Sequence, residues 1–275
     1  MVGSKNHRAR NQFQNLAMHL DYQVHPGRGP YLALVHGLLS SRAQWLLNLQ
    51  ALSTVCTPVT IELWGHGRSP APEQAEAYTP QHYVQQFEHI RQTLGIDRWF
   101  VCGYSLGAGL TIRYTHTHPE HVIAHIFTNS QSGLAGADTL AAWRQAMPET
   151  AAKIRANGKK AIERIAVHPK FAKRLPEPVA SQLVADAELL SPVGVAHTME
   201  TTNMKASTRD IAAENPRPAL MCFGELEKRF HPSMQWAADN MRNLTIANLQ
   251  AGHGVNMEDA AGFNQVVTDF IQQHA

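Results

Sequence analysis

The sequence predicts an α/β fold with a mostly parallel sheet and helices on both faces. Short continuous apolar runs, such as Tyr31 to Val35 and Val122 to Thr128, recur along the chain. Runs of this length are typical of strands that are covered on both faces. Segments with helical patterns separate the runs, which favours right-handed crossovers between parallel strands. At 275 residues the chain is long enough for one large domain with a sizeable insertion.

The same patterns place the elements along the chain. After an edge hairpin at Leu16 to His25, the predicted strands are Tyr31 to Val35, Val59 to Leu63, Trp99 to Cys102, Val122 to Thr128, Ala219 to Phe223 and Leu244 to Leu249. The helices predicted between them run from Ser40 or Ser41 to Leu52, from Thr79-Pro80 to Gly95, onward from Ser105, from Met234 to Met241, and from Asp259 to Gln273.

Residues 131–215 differ in composition from the rest of the chain. Ala, Arg, Lys, Met and Glu dominate there, and strand-like runs vanish. Prolines separate helical patches at Ala141 to Met147, Glu149 to Ala156 and Val179 to Leu189. We therefore expect a core formed by residues 1–130 and 216–275, with residues 131–215 inserted as a helical cap over the functional site.

Composition argues against several classes of function. Lys and Arg total 24 against 22 Asp and Glu, without a long run of one sign, so no nucleic-acid surface is predicted. No stretch reaches the roughly 18 apolar residues of a membrane span, and the first fifteen residues lack the apolar centre of a secretory signal. We expect a soluble, cytoplasmic protein with no membrane partner. Cys56, Cys102 and Cys222 lie in or next to apolar runs, which predicts buried thiols.

The stretch Gly103-Tyr104-Ser105-Leu106-Gly107 matches the pattern G-x-S-x-G, at the point where a predicted strand turns into a helix. A serine on so sharp a turn has strained backbone, and the flanking glycines allow neighbouring chain to pass closely. The turn presents Ser105 Oγ at the carboxyl end of the sheet, where the first N–H groups of the helix can stabilise negative charge. The pattern predicts a nucleophilic serine.

A nucleophilic serine needs a base that takes its proton and a carboxylate that orients the base. His253 is the candidate base, because glycines flank it in the loop after the last strand. Glu227 is the candidate acid and Glu225 is an alternative, since both follow the Ala219 strand. We prefer Glu227 because it lies farther into the loop, and the resulting order of serine, acid and histidine suits a parallel sheet.

Two backbone N–H groups are candidates for an oxyanion hole. One belongs to Leu106, the residue after the serine, and the other belongs to Leu38, where the chain leaves the Tyr31 strand. The candidate substrate contacts are Tyr104, Leu39 and Trp64.

Histidines elsewhere do not predict a metal site. A proline interrupts His116, His118, His121 and His125, and no carboxylate or cysteine is clearly placed to complete a ligand set. We expect His66, in a glycine turn, to hold its loop by hydrogen bonds. The sequence predicts no metal and no cofactor.

The chain resembles the α/β-hydrolase superfamily over nearly its whole length. The motifs that carry the resemblance are His36-Gly37, Gly65-His66-Gly67-Arg68-Ser69, Gly103-Tyr104-Ser105-Leu106-Gly107, His118-Pro119-Glu120, Gly224-Glu225-Leu226-Glu227 and Gly252-His253. The resemblance implies an eight-stranded, mostly parallel sheet with a helical cap inserted after the sixth strand. It also implies a triad of Ser105, Glu227 and His253.

Within the superfamily, the elbow, the stretch before Glu227 and the cap around His168-Pro169 are similar to the 2-succinyl-6-hydroxy-2,4-cyclohexadiene-1-carboxylate synthases of menaquinone biosynthesis. Those synthases usually carry an arginine four residues after the serine, to bind substrate carboxylates, where this chain has Gly109. Their triad acid is usually Asp, and they usually have Asp-x-Pro where this chain has Glu62-Leu63-Trp64. The arginines that could substitute in space are Arg42, Arg113, Arg144 and Arg174.

The sequence leaves three functions open. The leading hypothesis is a serine hydrolase that cleaves small-molecule carboxylic esters through an acyl-enzyme. The second is a lyase that uses the same triad to remove a proton from a succinyl-type substrate. The third is a receptor without catalysis on the same fold, because function resides in the site rather than in the fold.

Overall fold

A computed structural model describes residues 18–275 of the chain. Its strands are β1 Tyr22–Val24, β2 Tyr31–Val35, β3 Thr57–Ile61, β4 Trp99–Gly103, β5 Val122–Thr128, β6 Ala219–Gly224 and β7 Leu244–Leu249. They form one sheet in the order β1-β3-β2-β4-β5-β6-β7. The pair of β1 and β3 is antiparallel and every other neighbouring pair is parallel. The predicted mostly parallel sheet is therefore confirmed.

The first edge of the sheet differs from the prediction. Within residues 18–275 the sheet has seven strands, one fewer than the eight that the resemblance implies. The predicted hairpin is wrong: β1 pairs with β3, with Tyr22 opposite Ile61, instead of turning back on β2. Both edges of β2 already carry neighbours, so the open edge lies on β3. The first residues of the predicted hairpin, Leu16 and Ala17, lie outside the described part of the chain.

Helices cover both faces of the sheet, as the sequence predicts. In chain order they are α1 Leu49–Leu52, α2 Pro80–Thr93, α3 Leu106–Thr117, α4 Ala137–Asn157, α5 Lys159–Ile162, α6 Glu177–Asp186, α7 Pro192–His197, α8 Asn203–Lys205, α9 His231–Asn240, α10 Val255–Glu258 and α11 Ala260–His274. Side chains alternate along a strand, so Leu32 and Leu34 of β2 pack in the cluster that contains α11. Ala33 and Val35 pack in the cluster that contains α2 and α3.

Between β5 and β6 the described chain is helical and contributes no strand. We call residues 131–215 the cap. The prediction of two helices separated by a proline is wrong at Pro148, which lies inside the single helix α4. Pro148 is exposed, while Ala151 and Ile154 of the following turn are buried and anchor the helix. A proline removes one helical hydrogen bond, and packing of the next turn can retain the helix beyond it.

The predicted helix from Ser41 to Leu52 forms as two short pieces. Ser41 Oγ accepts a hydrogen bond from the N–H of Ala43 and begins a single turn over Arg42–Trp45, which is separate from α1. The buried Asn48 amide donates to the carbonyl of Asn256 between the two pieces. None of the helices in residues 18–275 combines the length and apolar character that crossing a bilayer requires.

Candidate active site

Ser105 lies at the turn from β4 into α3 with a backbone φ of 51° and ψ of −114°. A positive φ is costly for a residue with a side chain, so the turn is strained. A Cβ added at Gly103 would lie 2.3 Å from Thr111 Oγ1, and one added at Gly107 would lie 2.5 Å from the carbonyl oxygen of Val35. The predicted close passage of chain beside both glycines is therefore confirmed.

The structure brings Ser105, His253 and Glu227 together at the carboxyl ends of β4, β7 and β6. His253 Nε2 lies 2.9 Å from Ser105 Oγ, and His253 Nδ1 lies 2.9 Å from Glu227 Oε2. A carboxylate only accepts hydrogen bonds, so Nδ1 carries the proton of the neutral ring and Nε2 is free to accept from the serine hydroxyl. The alternative acid Glu225 contacts the side chain of Gln250 instead.

Asn129, which directly follows β5, holds the carboxylate of Glu227. Its Nδ2 donates to Glu227 Oε2 at 3.0 Å and to the carbonyl of Gly224 at 3.0 Å, while its Oδ1 accepts from the Gly224 N–H. Burial alone would raise the pKa of Glu227, but hydrogen bonds from His253 and Asn129 and the charge of Arg229 lower it below its usual range. Glu227 is therefore ionised at neutral pH. Sequence reasoning missed Asn129, although its place after a strand end was a usable signal.

Glu258 holds the loop that carries His253. Its two carboxylate oxygens accept from the N–H groups of Gly252, at 2.7 Å, and of Gly254, at 3.0 Å, on either side of the histidine. The rings of Tyr104 and His253 pack edge to face, with 5.4 Å between centroids. The loop is thus fixed from two sides, and Glu258 was also missed from sequence.

Hydrogen bonds to two buried histidines shape the loop after β2. His66 Nε2 accepts from the N–H of Leu39 at 3.2 Å, and His36 Nε2 accepts from the N–H of Leu63 at 3.0 Å. Burial lowers the pKa of both imidazoles, to about 3 for His66, so both rings stay neutral. His66 also holds its own turn, as expected, because its Nδ1–H donates to the carbonyl oxygen of Trp64 at 2.9 Å. Leu39 has a positive φ of 56°, which the bond from its N–H to His66 helps to retain.

The two predicted oxyanion donors are the N–H groups of Leu38, in this loop, and of Leu106, at the start of α3. Leu38 and Leu39 of the loop and Leu106 of α3 line the same cavity as Ser105. The neighbouring N–H groups of Gly37 and Leu39 both donate to side chains. Among residues 18–275, the N–H groups of Leu38 and Leu106 donate to no protein acceptor.

An ion pair between Arg42 and the buried Glu62 stabilises the loop after β2. Glu62 is fully buried, and Arg42 Nη2 donates to its Oε2 at 2.7 Å. Burial alone would raise the pKa of Glu62, but hydrogen bonds from Arg42 and from the Arg68 N–H lower it. A Cβ at Gly67 would lie 2.0 Å from the Glu62 carboxylate, so only glycine fits there. Glu62 is therefore structural, a role that its sequence context did not reveal.

A cavity of about 400 Å³ opens above Ser105, between the core and the cap. Tyr104 and Leu39, two of the candidate substrate contacts, line it. On the cap side its wall is mostly apolar and includes Trp143, Ala166, Val167, Phe171, Leu175 and Leu183. Trp64 does not line this cavity. It is 1% exposed and packs in the core cluster that contains Tyr78, so the structure does not place it against a substrate there.

The structure explains why position 109 carries glycine. A Cβ at Gly109 would lie 2.7 Å from the carbonyl oxygen of Ala206 and 2.9 Å from Cα of Gly133, both in the cap. An arginine cannot occupy this position without moving the cap. The four arginines considered as substitutes, Arg42, Arg113, Arg144 and Arg174, do not line the cavity.

Arg229 lines the cavity, and sequence reasoning missed it. Its side chain is 81% exposed, and its Nε lies 3.6 Å from Glu227 Oε1. Among residues 18–275 it is the one Lys or Arg in the cavity wall, so it is the cation that an anionic substrate group could meet.

The remaining histidines and cysteines do not form a metal centre in the described chain. Within residues 18–275, no group of three or more His, Cys, Asp or Glu is arranged to hold a metal ion. His125 is buried in β5, with Nε2 3.1 Å from Thr111 Oγ1. The three cysteines are buried and unpaired, as predicted.

Comparison with known proteins now identifies the family. The profile described as alpha/beta hydrolase fold matches residues 30–175. The chain belongs to the alpha/beta hydrolase fold family. This membership confirms the predicted fold. The fold also suggests that the protein is an enzyme.

Relatives within the alpha/beta hydrolase fold family include several kinds of enzyme. The putative 2-succinyl-6-hydroxy-2,4-cyclohexadiene-1-carboxylate synthase of Bacillus subtilis (strain 168) is 24% identical over 258 residues, which are 90% of this chain and 92% of that protein. MenH from S. aureus has a TM-score of 0.80 at 17% identity, covering 93% and 98% of the two chains. The enol-lactonase from Burkholderia xenovorans LB400 has a TM-score of 0.77 at 23% identity, covering 92% and 96%. At these identities the structural likeness shows the fold.

Proposed function

We propose that the protein is a serine hydrolase that cleaves carboxylic esters of small molecules through an acyl-enzyme. The observation that carries the proposal is the continuous chain of hydrogen bonds from Ser105 through His253 to Glu227, with 2.9 Å at each step. This is the geometry that removes a proton from a serine hydroxyl as it attacks a carbonyl carbon.

In the proposed mechanism, Ser105 Oγ attacks the acyl carbon while His253 Nε2 takes its proton. Glu227 stabilises the imidazolium that forms, and the N–H groups of Leu38 and Leu106 stabilise the oxyanion. His253 then protonates the leaving alcohol. A water that gives its proton to His253 attacks the acyl-enzyme, and the acid leaves as Ser105 recovers its proton.

The cavity supports small to medium acyl groups as substrates. Its volume of about 400 Å³ is within the range of small-molecule sites, and its cap wall is apolar. The enol-lactonase among the structural neighbours is consistent with such substrates.

A lyase acting on a succinyl-type substrate is the second candidate. Likeness to the B. subtilis protein over 92% of its length favours it, and Arg229 offers a cation for a substrate carboxylate. The crowding at Gly109 argues against it, because the arginine usual in those synthases has no room there. A non-catalytic receptor is the third candidate, and the intact hydrogen-bonded constellation argues against it. A cytoplasmic location stays a prediction.

The test combines covalent labelling with two activity assays. The protein, its Ser105→Ala variant and a Ser132→Ala control are treated with a fluorophosphonate and weighed intact. Ser132 lines the same cavity but is not bonded to His253, so it is a matched serine. The variants are then assayed with p-nitrophenyl esters and for pyruvate release from the synthase substrate.

The proposal predicts one adduct, retained in Ser132→Ala and lost in Ser105→Ala, together with ester turnover. An adduct with pyruvate release and no ester turnover would establish the lyase instead. Absence of any adduct would contradict both enzymatic proposals and favour the receptor.

A further inference from the structure

Three buried polar side chains of the cap line the cavity: Ser132, Asn203 and His168. The one that carries a ring N–H is His168. It is 6% exposed and lies just before Pro169 at the start of a short helical turn. The wall around it is apolar, with Ala166, Val167 and Phe171 beside it. A buried histidine in such a wall needs partners for its polar atoms.

All polar atoms of His168 but one have partners in the protein. Its N–H donates to the carbonyl of Ile165 at 2.9 Å, and its carbonyl accepts from the N–H of Phe171 at 3.0 Å. Its Nδ1 accepts from the N–H of Lys170 at 3.3 Å. Among residues 18–275, Nε2 has no hydrogen-bond partner.

The bond at Nδ1 decides what Nε2 can do. A neutral imidazole carries one proton, and a ring that accepts at Nδ1 carries it on Nε2. Burial lowers the pKa of His168, and the charge of Lys170 adds to this against the opposing charges of Glu163 and Glu188. The ring is therefore neutral at neutral pH, and Nε2–H is a donor without a protein acceptor.

We propose that His168 Nε2–H donates a hydrogen bond to an oxygen of the substrate. This inference rests on the proposed ester hydrolysis. The hydrogen bond from His168 makes the cavity selective for esters that carry a carbonyl or ether oxygen on the part that lies against the cap. An oxygen there accepts from Nε2–H, whereas a purely aliphatic chain covers the donor without pairing it, and a site built this way rejects the analogue that lacks the partner.

The two ring nitrogens can be tested separately. In His168→Asn the amide oxygen can replace Nδ1 as acceptor for the Lys170 N–H, because Asn is a good residue at this capping position, but the donor at Nε2 is lost. In His168→Gln the longer amide can place a donor near Nε2 but loses the capping acceptor. His168→Asn should therefore keep its melting temperature, and His168→Gln should keep substrate preference while its melting temperature falls by a few degrees.

The probes are two matched pairs of esters. On the acyl side, p-nitrophenyl 5-oxohexanoate is compared with p-nitrophenyl hexanoate. On the alcohol side, 2-methoxyethyl hexanoate is compared with butyl hexanoate. For one pair we expect kcat/KM of the wild type to favour the oxygenated ester by about tenfold, and we expect His168→Asn to lose this preference.

Each outcome decides the proposal. Loss of preference in His168→Asn and its retention in His168→Gln support it. Equal ratios in the wild type and His168→Asn for both pairs overturn it, even when ester turnover and the serine adduct are present. If the wild type neither turns over hexanoate esters nor forms the adduct, the proposed function fails and this inference falls with it.

Discussion

The two walls of the cavity are built in different ways. On the core side, Ser105, Glu227 and His253 each follow the end of a strand. Asn129 donates a hydrogen bond to Glu227, and Glu258 accepts hydrogen bonds from the loop that carries His253. On the cap side, short helices present mostly apolar side chains, and several of these are half exposed, such as Val167 at 50% and Phe171 at 49%.

This difference teaches which wall sets chemistry and which sets specificity. A catalytic group must be held within a fraction of an ångström, which a sheet edge with several hydrogen bonds can do. Apolar contacts of the cap tolerate exchange, since each side chain contributes mainly area and shape. Substitutions in the core wall should therefore change the rate, and substitutions in the cap wall should change the choice of substrate.

The largest expected effect separates the two acids that follow β6. Glu227→Gln removes the charge that stabilises the protonated His253 and reverses the preferred tautomer, so kcat should fall by about 10³- to 10⁴-fold. Glu225→Gln, two residues away, should leave kcat within about twofold because its side chain contacts Gln250. Steady-state kinetics on one p-nitrophenyl ester measures both. Similar losses in the two variants would mean that the acid is assigned wrongly.

A smaller loss is expected where the core wall shapes the oxyanion loop. His66→Leu removes the acceptor of the Leu39 N–H, so the loop can relax from its positive φ and displace the N–H of Leu38. Since removal of one oxyanion donor costs about 10²- to 10³-fold in other enzymes, we expect kcat to fall by about 10- to 100-fold. His66→Gln retains an acceptor and should recover part of the rate. Unchanged kcat in His66→Leu would contradict this role.

The neutral histidines of the core also predict how stability depends on pH. Burial lowers the pKa of His66 and of His125 to about 3, whereas both titrate near 6.5 when the chain unfolds. Between these values the unfolded state binds more protons, so the free energy of unfolding is highest above about pH 6.5 and falls as the pH is lowered. Each histidine contributes a slope of at most about 1.4 kcal/mol per pH unit.

Urea unfolding at pH 8, 6 and 5 measures this slope. His125→Met fills a similar volume without a titrating group. Below pH 6, the slope of its free energy of unfolding against pH should therefore correspond to about one bound proton fewer than in the wild type. An identical pH dependence in both proteins would show that His125 is not kept neutral by the fold.

The smallest expected effect tests the cap wall. Phe171→Ala removes apolar surface from the cavity and should raise KM for long-chain esters by about 3- to 10-fold, with little change for acetate esters. Val184→Ala removes a side chain that is 42% exposed and does not line the cavity, so it should not change chain-length preference. Equal loss on short and long esters in Phe171→Ala would place that residue in the chemistry rather than in specificity.

The same contrast governs how much the sequence could predict. The positions of Ser105 and His253 could be predicted because each needs glycines beside it and a strand before it. β2 and β5 were located to the residue because covered strands are continuous apolar runs. These signals are local. Close approach of neighbouring backbone restricts the positions beside Ser105 to glycine, and burial on both faces restricts a covered strand to apolar residues.

Features that depend on contacts between residues far apart in the sequence could not be predicted. The buried pair of Arg42 and Glu62, the support from Asn129 and the loss of Trp64 from the cavity all follow from packing between segments far apart in sequence. Pro148 was misjudged because packing of Ala151 and Ile154 overrides its local effect. His168 could not be singled out among 16 histidines, since its importance comes from its burial.

The most direct test of the central claim is to trap the acyl-enzyme. The protein at micromolar concentration is mixed with p-nitrophenyl acetate, quenched in acid within milliseconds and mapped by peptide mass spectrometry. We predict an acetyl group on Ser105, formed with a burst of one p-nitrophenol per protein and absent from Ser105→Ala. Turnover of the ester without acylation of Ser105, or with acylation of another residue, would contradict the account.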